Sequence, residues 1–148
     1  MSEINVKYGD NQRSFPAPAT VLDAFKALDR DVLKRTLAAK VNGVEVDLGS
    51  ELPITSETVA IEPITSDSAD GLELIRHSTA HLLAAAILDL FPGTKLGVGP
   101  ALMEDPRYGY YYDIIAPRQL TEADLPVIEK KMKAMAKQNL PYRREIVE

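Results

Sequence analysis

The chain contains no cysteine among its 148 residues, which excludes a disulfide framework and any thiolate metal site. Histidine is nearly as scarce, with two, so a metal centre would have to use both and still find further ligands. No apolar run is long enough to cross a bilayer, which argues against a membrane partner. The opening residues, MSEINVKYGDNQ, lack a basic region followed by an apolar core. The reading is a chain without a signal peptide, placed in the cytoplasm. The glycines at 97, 99 and 109 complete neither G-x-x-x-x-G-K-[ST] nor G-x-G-x-x-G, so no phosphate loop is present. There is no internal repeat and no low-complexity tract. Net charge is −5, which argues against a protein that coats nucleic acid generally but leaves room for a local basic patch.

What is there reads as globular. With 45% hydrophobic and 26% charged residues, the length suits one ordinary domain or two small ones. EINVKYG and QRSFP alternate polar and apolar residues around Gly9-Asp10-Asn11, which predicts a β-hairpin. Thr20 reads as the N-cap of a helix over VLDAFKAL, with Asp23 completing a capping box and Val21, Leu22, Phe25 and Leu28 on the apolar face. AAKVNGVEVDL and TVAIEPI follow as short β-rich runs broken at Asn42-Gly43 and Gly49-Ser50. Strand, strand, helix and further strands predict a small α+β roll with its helix across one sheet face.

TSDSADG, residues 65–71, is polar and small and reads as a linker. It divides a first block, 1–64, from a second, 72–148. The second block opens on ELIRHSTAHLLAAAILDLFPG, a long apolar helix ending at Pro92-Gly93, with Asp70 as its expected N-cap and Glu73 closing a capping box. KLGVGPAL and GYYYDII then read as strands joined by MEDPRYG. Thr121 begins TEADLPVIEKKMKAMAKQ, with acids early and bases late. Pro126 falls late for a first-turn proline, so this helix starts later than Thr121 or bends there. LPYRREIVE reads as a strand.

Three features carry chemistry. His77 and His81 lie four apart, so on a helix their rings share one face about 5–6 Å from each other. Such a pair can hold a metal or a water; equally, each ring can be satisfied by a backbone carbonyl. The zincin arrangement needs a glutamate directly after the first histidine, and Ser78 stands there. Tyr110 and Tyr112 would face one side of a strand and Tyr111 and Asp113 the other, as packing or as an aromatic wall beside the histidines. Lys130, Lys131, Lys133, Lys137, Arg143 and Arg144 form a basic run that suits a solvated helix face or a phosphate-binding surface.

GLELIRHSTAHLLAAAILDLFPGTKLGVGP, then GYYYDI, then LTEADLPVIEKKMKAMAKQNLPYRREIV resemble, in order, the N-terminal part of bacterial threonyl-tRNA synthetases. AKVNGVEVDLGSELP resembles the TGS domain that opens those enzymes. The resemblance implies a β-grasp (ubiquitin-like) TGS domain over 1–64, then the first part of an α+β editing domain built on the histidine-bearing helix. That editing domain hydrolyses serine wrongly attached to threonine tRNA, a double-sieve correction. It implies His77 and His81 as catalytic residues, Tyr112 and Asp113 as substrate contacts, and Lys130, Lys133, Lys137, Arg143 and Arg144 as tRNA contacts, with no metal.

The turn ALMEDPRYG is longer than the family's acidic turn. The sequence also stops after REIVE, before the family's cysteine-and-histidine motif, catalytic core and anticodon-binding domain. The expectation is therefore an N-terminal fragment holding half an editing site and no cofactor. ATP, magnesium and a zinc ion would belong to the absent core. Threonine tRNA, the rest of the synthetase and a second copy in a homodimer would be its partners. Two other readings stand beside this one: an RNA-binding or regulatory module without catalysis, and a metal-dependent hydrolase whose site is shared between subunits.

Overall fold

The structure, a computed structural model, describes residues 2–105, 107–143, 145 and 147. The chain divides into two compact units, Met1–Leu74 and Ile75–Glu148.

In the first unit, β1 (Glu3–Tyr8) and β2 (Asn11–Pro16) pair antiparallel around a two-residue turn. Gly9 takes the first turn position at φ +57, a left-handed conformation that a tight hairpin needs and glycine adopts without strain. Alternation along β1 sends Ile4 and Val6 inward, both with no exposure. Helix α1 (Val21–Leu28) starts at the expected cap: the Thr20 hydroxyl accepts from the Asp23 N–H and the Asp23 carboxylate accepts from the Thr20 N–H. Val21, Ala24 and Phe25 make its buried face, with Leu28 packed partly against the core. Ala24 thus replaces Leu22 at the centre of the predicted stripe.

A 3-10 turn at Val32–Arg35 leads into β3 (Thr36–Val41). The Asn42-Gly43 turn, with both residues at positive φ, leads to β4 (Val44–Val46), and β5 (Val59–Thr65) completes the sheet. The strand order is β2-β1-β5-β3-β4. β1 and β5 run parallel at the centre and the other pairs are antiparallel. This mixed five-stranded sheet is the β-grasp roll that the sequence predicts. Its core is continuous from Ile4, Val6 and Phe15 through Phe25 to Val59 and Ile61, and Tyr8 meets Phe25 edge-on at 5.5 Å.

Helix α2 (Ala69–Leu90) follows β5 after a short turn. Ser68, not Asp70, caps it: its carbonyl accepts from Leu72 N–H and its hydroxyl accepts from Gly71 N–H while donating to the Thr65 carbonyl. Asp70 instead receives Lys40 of β3 at 2.6 Å, a long-range pairing that local cap preferences do not encode. LLAAAI is rich in strong helix formers. The helix stops where Pro92 cannot continue it and Gly93 turns to φ +90.

In the second unit the predicted strands shrink to β6 (Lys95–Leu96) and β7 (Ile114–Ile115), paired antiparallel. Beyond them the two segments stay in register through single contacts, Gly97 N–H to Asp113 carbonyl at 2.7 Å, Asp113 N–H to Val98 carbonyl at 2.9 Å, and an Ala101–Tyr110 bridge. Thr121 and Asp124 form a capping box over a 3-10 turn at Glu122–Asp124. Helix α3 (Leu125–Lys137) begins only after it, with Pro126 inside the first turn. The later start is the one that proline chemistry favours. The strand expected over LPYRREIVE is absent among the described residues, where Leu140, Tyr142 and Val147 are largely exposed. A strand needs a neighbour to take its backbone groups, and no described residue there joins a ladder.

Candidate functional site

On α2 the buried stripe is Ala80, Ala84, Ala86 and Ile87. His77 and His81 are exposed. Their Nε2 atoms lie 3.0 Å apart and the rings stand edge to face, 89° between planes and 4.5 Å between centroids. Each imidazole therefore finds its partner in the other ring. The contact requires one Nε2–H donor and one Nε2 acceptor, so the two rings do not both carry a proton on Nε2.

Tyr112 brings an aromatic ring to this pair. Its ring centroid is 6.5 Å from that of His81, inclined at 70°. The ring lies directly against Gly99, where a Cβ would fall 2.2 Å from Tyr112 Cδ2. Only a residue without a side chain leaves that room. Tyr110 and Tyr112 are half-buried while Tyr111 and Asp113 are exposed, the alternation the sequence predicts even though the regular ladder is short. Asp113 joins the site through its backbone pairing to Gly97 and Val98.

One helix residue anchors the opposite segment. Arg76 Nη1 donates to the Leu102 carbonyl at 2.6 Å, and its side chain lies against Gly109, where a Cβ would stand 3.2 Å from Nε. Leu102 N–H in turn donates to the Gly109 carbonyl at 2.8 Å. The sequence pattern does not single out Arg76 or Gly99. The available signal is glycine within a strand-like run, which marks a close approach; at 97, 99 and 109 the same glycines also resemble part of a phosphate loop, which hides that signal.

The donor set does not fit a metal. Among the described residues no group of three His, Cys, Asp or Glu side chains converges, and Glu73, one turn before His77, is exposed. Two imidazoles turned onto each other make a hydrogen-bonded pair, and a structural or catalytic zinc takes three or four protein ligands.

The basic residues separate into distinct environments. Lys130, Lys133 and Lys137 share one exposed face of α3 and line a shallow groove with Pro126, Glu129 and Ala134. Within it Lys133 bonds Glu129 at 2.6 Å and holds that carboxyl below its usual range. Lys131 points elsewhere and pairs with Asp89 of α2. Arg143 is exposed past the helix end, and Arg144 lies outside the described residues. The start of α3 is fixed by Arg118, whose guanidinium grips both oxygens of Asp124 at 2.6 and 2.9 Å and stacks 4.9 Å from the centroid of Phe91. That grip, with the Thr121 N–H, holds the Asp124 carboxyl well below the usual carboxylate range.

Residues 6–54 match the TGS domain family. Threonine–tRNA ligase of Acidithiobacillus ferrooxidans is 42% identical over 147 residues, 99% of this chain and 22% of the relative. That of Bacillus velezensis is 40% identical over 145 residues, 97% of the chain and 22% of the relative. That of Citrifermentans bemidjiense is 39% identical over 146 residues, 98% and 22%. The chain thus spans about a fifth of the length of the curated relatives it matches. Over nearly all of its own length it is homologous to the N-terminal region of threonine–tRNA ligases, and it contains a TGS domain.

Proposed function

We propose that this chain is the TGS domain and the first part of an editing domain of a threonine–tRNA ligase, and that His77 and His81 form one wall of a pocket that hydrolyses serine mis-attached to threonine tRNA. The observation that carries the reading is the imidazole pair: two Nε2 atoms 3.0 Å apart on an exposed helix face, flanked by the Tyr112 ring. Homology to threonine–tRNA ligases supports the substrate class.

The chemistry needs the pair to open. Once the bond between the rings parts, the Nε2 that accepted it has a free lone pair; it takes a proton from a water held beside it, and the water oxygen adds to the ester carbonyl carbon. The bond from that carbon to the ribose oxygen then breaks, and the imidazolium returns its proton to that oxygen. Free serine and tRNA leave. Threonine escapes because a second, smaller sieve rejects it by size. The Lys130, Lys133 and Lys137 face would meet tRNA phosphates together with Arg143 and Arg144, while Asp113 would join Tyr112 as a substrate contact. Aminoacylation, with its ATP, magnesium and zinc, is assigned to the part of the relatives that this chain does not span. The other partners are the rest of the ligase and a second copy in a cytoplasmic homodimer.

The test is deacylation of seryl-tRNA(Thr) by the full-length gene product. Replacing His77 and His81 together by alanine should slow hydrolysis by about 10²-fold or more, the usual share of acid–base catalysis, while threonine activation stays unchanged. An unchanged deacylation rate overturns the proposal.

A further inference from the structure

We infer that Arg76 is a positioning residue for this site: it clamps the Ala101–Leu102 and Gly109–Tyr110 arms to helix α2 beside His77 and so sets where Tyr112 stands relative to His81. The inference rests on the proposed hydrolysis only for its kinetic readout; the geometry stands by itself.

Arg76 directly precedes His77, and its half-buried side chain leaves the helix toward the other side of the site. One guanidinium nitrogen donates to the Leu102 carbonyl at 2.6 Å, a short charge-assisted bond. The same side chain fills the space over Gly109, where a Cβ would lie 3.2 Å from Nε, 3.4 Å from Cγ and 3.5 Å from Cδ. Leu102 and Gly109 are bonded to each other, and Ala101 bridges Tyr110. One arginine therefore holds both arms of the segment at the point where they meet. Tyr112 lies three residues beyond Gly109 and two beyond the bridge, with its ring seated on Gly99 and inclined at 70° to that of His81. Releasing the clamp leaves the arm that carries the ring to the backbone bonds of Gly109, Tyr110 and Asp113, so the ring can shift against His81.

Lysine is a poor substitute. Its ammonium can reach one carbonyl but offers no planar guanidinium to lie against Gly109. A displacement of about 1 Å at a positioned group can lower a rate by about 10²-fold, so the arginine acts on catalysis through geometry without touching the ester.

The experiment uses the full-length gene product and two readouts. In seryl-tRNA(Thr) deacylation, Arg76→Met should lower kcat by roughly 10- to 100-fold with KM within about threefold, and Arg76→Lys should recover only part of the loss. In a Tyr112→Ala background the same Arg76→Met change should cost less than about threefold, because the group it positions is gone. Equal losses in both backgrounds would overturn the inference. The second readout is the NMR shift of the His81 ring protons, which reports the Tyr112 ring whether or not the chain hydrolyses anything. Arg76→Met should move it, and Arg76→Met within Tyr112→Ala should not. If Arg76→Met fails to fold, Gly109→Ala carries the test: it keeps the bond to Leu102 and presses on Nε, and it should shift the same His81 signals. Unmoved signals in the folded variant refute the clamp. A wild type that leaves seryl-tRNA intact, with His81 signals that still respond, would count against the proposed reaction and leave the clamp standing.

Discussion

Gly71→Ala sets two physical effects directly against each other. Gly71 lies in the first turn of α2, the helix that carries both histidines. Helix propensity alone predicts that alanine stabilises, by at most about 1 kcal/mol. The structure predicts the opposite. A Cβ at Gly71 would stand 1.9 Å from the Thr65 carbonyl oxygen and 2.8 Å from its carbon. The backbone would have to move by more than an ångström to reach ordinary contact, and it is not free to move. That same oxygen accepts from the Ser68 hydroxyl at 2.7 Å and from the Ser68 N–H at 3.1 Å. Overpacking of this kind costs about 1–3 kcal/mol, and the two strained hydrogen bonds add about 1 kcal/mol each. The clash wins by about 2–4 kcal/mol. For a chain of this size that lowers Tm by roughly 5–12 °C. Thermal unfolding followed by far-UV circular dichroism, with urea titration at 25 °C, measures it. A Gly71→Ala protein as stable as the wild type would mean that the Thr65–Gly71 approach is not the constraint described here.

Two further outcomes follow from the charged groups. Replacing Lys130, Lys133 and Lys137 together by glutamine should reduce the slope of log affinity for threonine tRNA against log salt by about 2–3, since each phosphate contact contributes about 0.7–0.9; Lys131→Gln, whose partner is Asp89, should leave the slope alone, and an unchanged slope in the triple variant removes this face from the tRNA surface. Because the Arg118 bond holds the Asp124 carboxyl low in the folded chain, its ionised form stabilises the fold above the unfolded carboxylate value of about 3.9, and that contribution fades as pH falls through this value toward the depressed one. Urea unfolding of wild type and Asp124→Asn should differ most near neutrality and converge as pH falls below about 4; a gap that persists in acid would show that the carboxylate's charge is not what holds the turn.

The parts of the fold that could be read in advance are those where one local rule acts without competition. Asn42-Gly43 could only be a tight turn, and both residues take positive φ. Thr20 and Asp23 stand at capping-box spacing before an apolar stripe, and both bonds form. Local rules fail where two residues satisfy the same rule. Ser68 and Asp70 are both good helix caps, and the choice falls to Ser68 because Lys40, thirty residues away in the chain, takes Asp70. They fail again between 95 and 115, where strand-like composition yields only two regular ladder pairs among the described residues, both at the outer ends. There the backbone is shaped by an arginine clamp and by a ring resting on glycine, and neither has a periodic signature. The histidine spacing was legible, because four residues on a helix admit one geometry. Their mutual contact was not, because i,i+4 spacing allows rings to meet or to turn apart.

The exposed position of the imidazoles is itself informative about the kind of site this helix can serve. Placed on the Ala80–Ala84–Ile87 stripe, two polar rings would each need a buried partner, at about 1–3 kcal/mol for every group left unpaired. On the outer face they satisfy one another at 3.0 Å and remain open to solvent. The proposed hydrolysis is compatible with that combination, because an open pair can exchange the water that is its second substrate. Openness alone does not orient a water, however, and the half-buried Tyr112 ring stands on one side, 6.5 Å from the His81 centroid. The distance between that ring and His81 then controls what can stand between them. Gly99 beneath the ring and Arg76 across the segment bear on that distance, so under the proposed reading the shape of the site depends on packing as much as on the histidines.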